Sequence, residues 1–359
     1  MELKRGLFKD KQNLQTIATK HKQLLSIGQS RSIIMAHSVK NRKKRERKKQ
    51  VLNGRVKSLS KMASRRVKSV EEIELPHVAL GDLRRRWRQQ ETPLHPDLRA
   101  KVEKFRRIKI PKDKPLRISG SDGGMLVYGV ALNDKELVDT LFESIREAPT
   151  PKHYKFRGQK RSSYRSWHWV AWAKYSLEPF YSREYLDSSE AADTFFERNK
   201  EVFRRMGAIL GQCAPGVFKQ FQNYPLPKGL KRLGGAWMGC AINDGGNNPN
   251  QTNAHRDASE ALYGYSGLIS CGDYRRGGLI LWELEVILET EPGDVVIFAD
   301  VVITHSNEEA EGHRSSMVCF TQENVYSYWN REYNMRLRRK ERRKRKVSRV
   351  NRGKVAKAN

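Results

Sequence analysis

Three side chains in the last third of the sequence have the types and spacing to hold a single metal ion. His255 and Asp257 stand two apart in the triplet His255-Arg256-Asp257, and His305 follows fifty residues later. In an extended segment alternate residues face one way, so His255 and Asp257 share a side and Arg256 points away. Two imidazoles and one carboxylate occupy one face of a non-haem Fe(II) ion and leave three coordination positions open. A 2-oxo acid can fill two of these and O2 the third. The far carboxylate of such a cosubstrate calls for planar, forked donors, which Arg314 supplies. Ser316, two residues on and on the same strand face, adds a hydrogen bond. For the three ligands to share an ion, their coordinating atoms must come within about 4 Å of one another, given bonds near 2.0–2.2 Å.

An HxD triplet alone says little, and the chain carries a second one, His95-Pro96-Asp97. That triplet precedes a helix expected over Leu98 to Arg106, where Asp97 serves as the N-cap. Taken singly, His255 reads as a polar loop residue and His305 as a histidine at a strand end. What sets them apart is order: the triplet, a Gly277-Gly278 turn, a Pro292-Gly-Asp294 turn, His305, then Arg314-Ser315-Ser316. His313 is the rival second imidazole, but next to Arg314 it faces the opposite side of the strand.

The elements that must position these residues are short and β-rich. After Gly234 the runs Trp237–Asn243, Gly267–Cys271, Leu279–Leu284, Val295–Val301 and Ser315–Thr321 alternate with Gly, Asn and Asp. That pattern predicts a sandwich or barrel of antiparallel strands. Upstream, Met125 to Ala131 reads as a buried strand, followed by a helix from about Asp134 with Leu137, Leu141 and Ile145 on one face. Asp187-Ser-Ser-Glu190 fits a capping box, from which Phe195, Val202, Met206, Ile209 and Leu210 continue an apolar face to about Gly211. Helices before the β-rich region are thus expected to brace its sheet. Trp167, Trp169 and Trp172 cluster beside Arg157, Lys160, Arg161 and Arg165. Aromatics among cations can stack bases, although a tryptophan stripe is more often core packing.

The 359 residues, 38% of them hydrophobic, suffice for one large domain or two modest ones. No run of eighteen apolar residues occurs, which excludes a spanning helix. The lysines near Met1 lack a continuous apolar stretch, so no secretory signal is expected. Cys213, Cys240, Cys271 and Cys319 form no CxxC pair, which argues against a zinc ribbon and for a reducing compartment. The net charge of +30 resides at the ends. Residues 1–70 hold 21 basic and 3 acidic side chains, residues 331–359 hold 14 and 2, and the span between holds 35 of each. Both ends, with their dense runs Asn41 to Gln50 and Arg336 to Lys346, read as solvated, disordered tails. Lys and Arg at phosphates release counterions, so two such runs favour nucleic acid as a partner, and either fits a nuclear import signal. The alternative is a charge run with no partner. Within the body, residues 84–174 carry 22 basic and 10 acidic groups, and 178–330 carry 13 and 21. Phosphate contacts would therefore fall to the tails and the 84–174 segment.

The order of these pieces resembles the double-stranded β-helix dioxygenases that use Fe(II) and 2-oxoglutarate. Gly272-Asp-Tyr-Arg-Arg-Gly-Gly-Leu279, Glu291-Pro-Gly-Asp294, Thr304-His-Ser306 and Gly312-His-Arg-Ser-Ser316 are similar to the TET/JBP-like branch, especially its fungal transposon-associated members. That branch oxidises the methyl group of modified nucleic-acid bases. The AlkB-type repair enzymes carry a second arginine six positions after the first, where this chain has Phe320. The resemblance spans about residues 235–330, loosens back to about 120 and is absent in the tails. It implies an α+β fold with a double-stranded β-helix (jelly-roll) catalytic core over 235–330, a supporting α/β region over 71–234, and basic tails over 1–70 and 331–359. His255, Asp257 and His305 would hold iron, and Arg314 with Ser316 would hold 2-oxoglutarate, with Asn243 on the preceding strand as a further cosubstrate contact. The implied substrate is 5-methylcytosine in DNA, in a nuclear protein. N6-methyladenine, methylated RNA or a nuclear protein side chain remain open, as does a catalytically inert nucleic-acid-binding barrel.

Overall fold

Strands that alternate between two apolar environments give this chain two cores, one on each side of a large sheet. The computed structural model describes residues 70–88, 99–149, 165–173, 176, 178–246, 251–328, 330, 331, 335 and 339. All fall in one compact unit, Ser69–Asn359. The N-terminal basic end, His95-Pro96-Asp97, Arg157, Lys160, Arg161 and nearly all of 336–346 lie outside the described residues. Among the described residues no helix is long and apolar enough to cross a membrane.

In chain order the strands are β1 (Glu71–Leu75), β2 (Arg106–Lys109), β3 (Leu116–Gly120), β4 (Met125–Ala131), β5 (Arg165–Trp172) and β6 (Phe180–Tyr181). Then follow β7 (Gly239–Asp244), β8 (Ser266–Arg276), β9 (Leu279–Leu281), β10 (Val286–Glu289), β11 (Asp294–Phe298), β12 (His305–Asn307) and β13 (Ala310–Phe320). Nine form one sheet in the order β1-β3-β4-β11-β8-β13-β7-β5-β6, and four form another in the order β12-β9-β10-β2. The pairs β1–β3 and β2–β10 are parallel; β4, β11, β8, β13, β7 and β5 are successively antiparallel. The large sheet therefore draws β1, β3, β4, β5 and β6 from the 71–234 span and does not stop at residue 235.

Side-chain alternation assigns each face. Val295 and Ile297 of β11, with Met317 and Cys319 of β13, enter a core shared with the helices. Val296 and Phe298 enter a second core with Leu279, Leu281 and Leu288 of the small sheet, and Val318 packs against it. The two sheets thus enclose the second core, which Leu80 and Leu83 also enter, and the helices between residues 135 and 222 cover the outer face of the large sheet. This is the expected α+β double-stranded β-helix.

The principal bracing helices are α3 (Lys135–Glu147), α5 (Ser189–Arg198) and α6 (Lys200–Cys213); α1 (Leu80–Arg88), α2 (Arg99–Val102), α4 (Arg183–Asp187) and α7 (Pro215–Gln222) are further helices, and helical chain resumes at residue 323. Asp134 caps α3 by accepting from the Leu137 amide at 3.2 Å. The capping box expected at Asp187 does not form. Asp187 ends α4 and its Oδ1 accepts from Arg183, while the Ser188 hydroxyl donates to the Glu184 carbonyl. The apolar face from Phe195 to Leu210 is also not one helix: Asn199 separates α5 from α6 and donates from Nδ2 to the Phe195 carbonyl at 2.9 Å. Both pieces still turn the expected residues into the same core. The expected helix to Arg106 is shorter, because Arg106 already begins β2.

Candidate metal centre

His255 and His305 meet through the backbone before their rings meet. The His255 amide donates to the His305 carbonyl at 3.0 Å and the His305 amide to the His255 carbonyl at 2.8 Å. This isolated antiparallel bridge takes the place of the regular strand expected around the triplet, since Arg256 and Asp257 lie beyond it in irregular chain. A directly opposed pair puts both side chains on one side of the ladder. The ring centroids are 4.4 Å apart at 51°, and the Phe298 ring stands edge-on to His305 at 5.1 Å.

Each Nδ1 faces a carbonyl: His255 that of Asn253 at 2.8 Å, His305 that of Ile303 at 3.0 Å. A carbonyl only accepts, so Nδ1 carries the proton of each neutral ring and the Nε2 lone pair is left for a ligand. Between these two Nε2 atoms sits the Asp257 carboxylate, 3.9 Å from His255 and 3.6 Å from His305. One ligand atom from each of the three lies within 4.8 Å of the others, in the one three-residue group of metal-ligand type among the described residues. His305 is 8% exposed, whereas His255 and Asp257 are half-buried and give the centre its opening to solvent.

The charge around Asp257 suits a cation. Its amide donates to the Asp300 carbonyl at 3.3 Å, and the Asp257 carbonyl accepts from the Glu260 amide at 2.9 Å. Asp300 and Glu260 are buried. Burial first, then neighbouring negative charge, pushes both carboxyls above their ordinary range: Asp257 acts on Asp300, and Asp300 and Asp257 act on Glu260. A divalent ion at Asp257 would offset that crowding. Sequence reasoning missed this pair, whose proximity arises only when residue 300 folds back on residue 257.

Arg314 and Ser316 occupy alternate positions of β13 and share a face with Val318, which looks into the core between the sheets. Arg314 is 5% exposed and Ser316 4%. The Arg314 guanidinium lies 5.6 Å from the centre of the Tyr274 ring. Gly277, at φ +75°, leaves room for it, since a Cβ there would stand 3.1 Å from Arg314 Cδ and 3.4 Å from Nε. Asn243 pairs with Ser316 across β7–β13 and donates from Nδ2 to its hydroxyl at 3.3 Å. A forked cation and two small polar groups thus line one wall of the inter-sheet space.

His313 faces the other way, as the alternation requires. Its Nε2 is 2.9 Å from Asp244 Oδ1, a carboxylate that also accepts from Ser315 and Arg165. Burial raises the Asp244 carboxyl, but the Arg165 and then the His313 bonds outweigh it and hold the group below its ordinary value. Trp167 and Trp169 are fully buried in the helix-side core, with Trp172 packed against it. Tryptophan core packing, not a base-stacking platform, accounts for that cluster.

No protein-family model and no curated protein matches the sequence. Among solved structures, the chain is similar to NgTET1 in complex with 5mC DNA, at 12% identity and TM-score 0.47 over 69% of this chain and 92% of that one. An oxidoreductase of the 2OG-Fe(II) oxygenase family from Burkholderia pseudomallei is similar at 11% identity and TM-score 0.31, over 70% and 94% of the two chains. A Pseudomonas putida prolyl-4-hydroxylase is similar at 15% identity and TM-score 0.33, over 55% and 91%.

Proposed function

We propose that the chain is an Fe(II)- and 2-oxoglutarate-dependent dioxygenase that oxidises the methyl group of a modified nucleic-acid base, with 5-methylcytosine in DNA as the favoured substrate. The observation that carries this reading is the convergence of His255 Nε2, His305 Nε2 and the Asp257 carboxylate, with both Nδ1 atoms already committed to carbonyls. Those three groups would hold the metal, which when bound supplies the oxygen and electron-transfer chemistry. The balance is methyl group, O2 and 2-oxoglutarate giving hydroxymethyl group, succinate and CO2.

The chain's own part is binding and exclusion. The Arg314 guanidinium is placed to pair with the far carboxylate of 2-oxoglutarate, and Ser316 with Asn243 to add hydrogen bonds. Phe298 fixes the His305 ring and, with the apolar side chains between the sheets, keeps water from the reacting C–H bond. A duplex base reaches such a recessed centre only by leaving the stack, which costs a few kcal/mol. Phosphate contacts by the basic ends and the 84–174 segment, nuclear residence, and kinship with the transposon-associated TET/JBP-like proteins belong to the same proposal, on charge distribution and motifs. Succinate release on a 5-methylcytosine oligonucleotide, compared between the wild type and His255→Ala, tests it. Turnover by the wild type and none by the variant is expected; equal turnover ends the metal assignment.

A further inference from the structure

We propose that Glu283 is a positioning residue that fixes the His305-bearing segment of the metal centre. The inference rests on the metal reading above and adds a residue outside the triad. Glu283 lies in the short 3-10 turn Trp282–Leu284 that follows β9. Its Oε2 accepts from the Thr304 amide at 2.6 Å and its Oε1 from the Thr304 hydroxyl at 2.6 Å. Thr304 is the residue immediately before His305.

The adjacent Trp282 completes the hold. Its amide donates to the Thr304 carbonyl at 2.9 Å, and its indole Nε1 donates to the Ser306 hydroxyl at 3.0 Å. Both neighbours of His305 are therefore bonded to one turn, and the ring has little freedom to swing away from Asp257.

Sheet pairing does not need this arrangement. β12 already pairs with β9 through His305 opposite Leu281 and Ser306 opposite Ile280. A half-buried charge with two short hydrogen bonds to a single residue is more than strand register calls for. Partners that orient metal ligands commonly change affinity 10- to 100-fold when removed, and that is the scale of effect expected.

The test uses Co(II) as the probe, titrated into the purified full chain and followed by calorimetry and by visible absorption, without O2 or substrate. Glu283→Ala is expected to weaken Co(II) binding about 10- to 100-fold. Thr304→Val removes one of the two bonds at constant shape and is expected to weaken it about 3- to 10-fold, so the proposal stays testable if Glu283→Ala does not fold. Glu283→Gln can keep both bonds, with the Thr304 hydroxyl reversed, and loses only the charge that strengthens them; an effect between wild type and Glu283→Ala is expected. Leu141→Ala, in the helix-side core, is the control for loosening of the fold: it should lower the melting temperature and leave Co(II) affinity unchanged. Co(II) affinities of Glu283→Gln and Thr304→Val equal to wild type would overturn the proposal. So would a Glu283→Ala protein that melts earlier but binds as tightly. A wild-type chain that takes up no Co(II) would instead sink the metal reading itself, and this inference with it.

Discussion

Arg314 is enclosed to 5% exposure beside Tyr274, and a guanidinium in that setting differs from an ammonium in kind. Arg314→Lys keeps the charge and loses the planar fork, so the KM for 2-oxoglutarate in succinate release is expected to rise at least about tenfold with a smaller change in kcat. An unchanged KM would place the cosubstrate elsewhere. Gly277→Ala tests the same pocket from behind. The residue sits at φ +75° and its new Cβ would press on Arg314, so a loss of about 1–2 kcal/mol in stability should accompany a raised 2-oxoglutarate KM, read by thermal melts and initial rates. At this scale the sequence was legible where side-chain type and spacing carry the chemistry. His255, Asp257 and His305 converge, and Arg314, Ser316 and Asn243 share one wall. Glu260, Asp300 and Glu283 were not legible, because their meaning depends on which residue lies across the fold. Glu283 left one faint mark, a charge inside the apolar run Leu279 to Leu284.

Three neighbouring strands of the large sheet are strapped together by one carboxylate. Asp244 on β7 accepts from Arg165 on β5 and from Ser315 on β13, and His313 on β13 lies within hydrogen-bond distance. Its carboxyl is held below the ordinary value, so the folded state binds that proton less tightly than the unfolded chain does. The sign follows: the stabilisation is fully present above the unfolded value near pH 3.9 and disappears as pH falls through the lower folded value. Asp244→Asn is expected to lose roughly 1–3 kcal/mol at neutral pH, and its deficit against wild type should shrink between about pH 5 and pH 3. Melting curves across that range that keep a constant gap would contradict the assignment. The elements divide by how local their signals are. Met125–Ala131, an unbroken apolar run, became β4 with the same ends, and Asp134 does cap the helix after it. The break at Asn199 left no trace in the apolar periodicity, because α5 and α6 turn the same face to the same core. β12 is three residues long, too short to show any period, and the HxD triplet owes its geometry to β12 rather than to a strand of its own.

For the molecule as a whole, the charge excess of +30 sits at the ends, and the proposed substrate is a polyanion. Affinity for a methylated duplex is expected to fall at least about tenfold between roughly 50 and 200 mM salt, and removal of residues 1–69 and 340–359 should flatten that dependence. Fluorescence anisotropy at several salt concentrations reads both; equal slopes for full and trimmed chains would remove the ends from the interface. The strand order has a different kind of consequence. The early-made strands stand at the margins of the large sheet, β1, β3 and β4 to one side and β5 and β6 to the other, while the four between them all come from residues 239–320. A ribosome must therefore reach residue 320 before β13 can join β8 to β7 and close the sheet. Until β11 emerges β4 waits with an open, apolar border, and a nascent chain stalled short of residue 239 is a sheet without a middle, prone to clump unless a chaperone shields it.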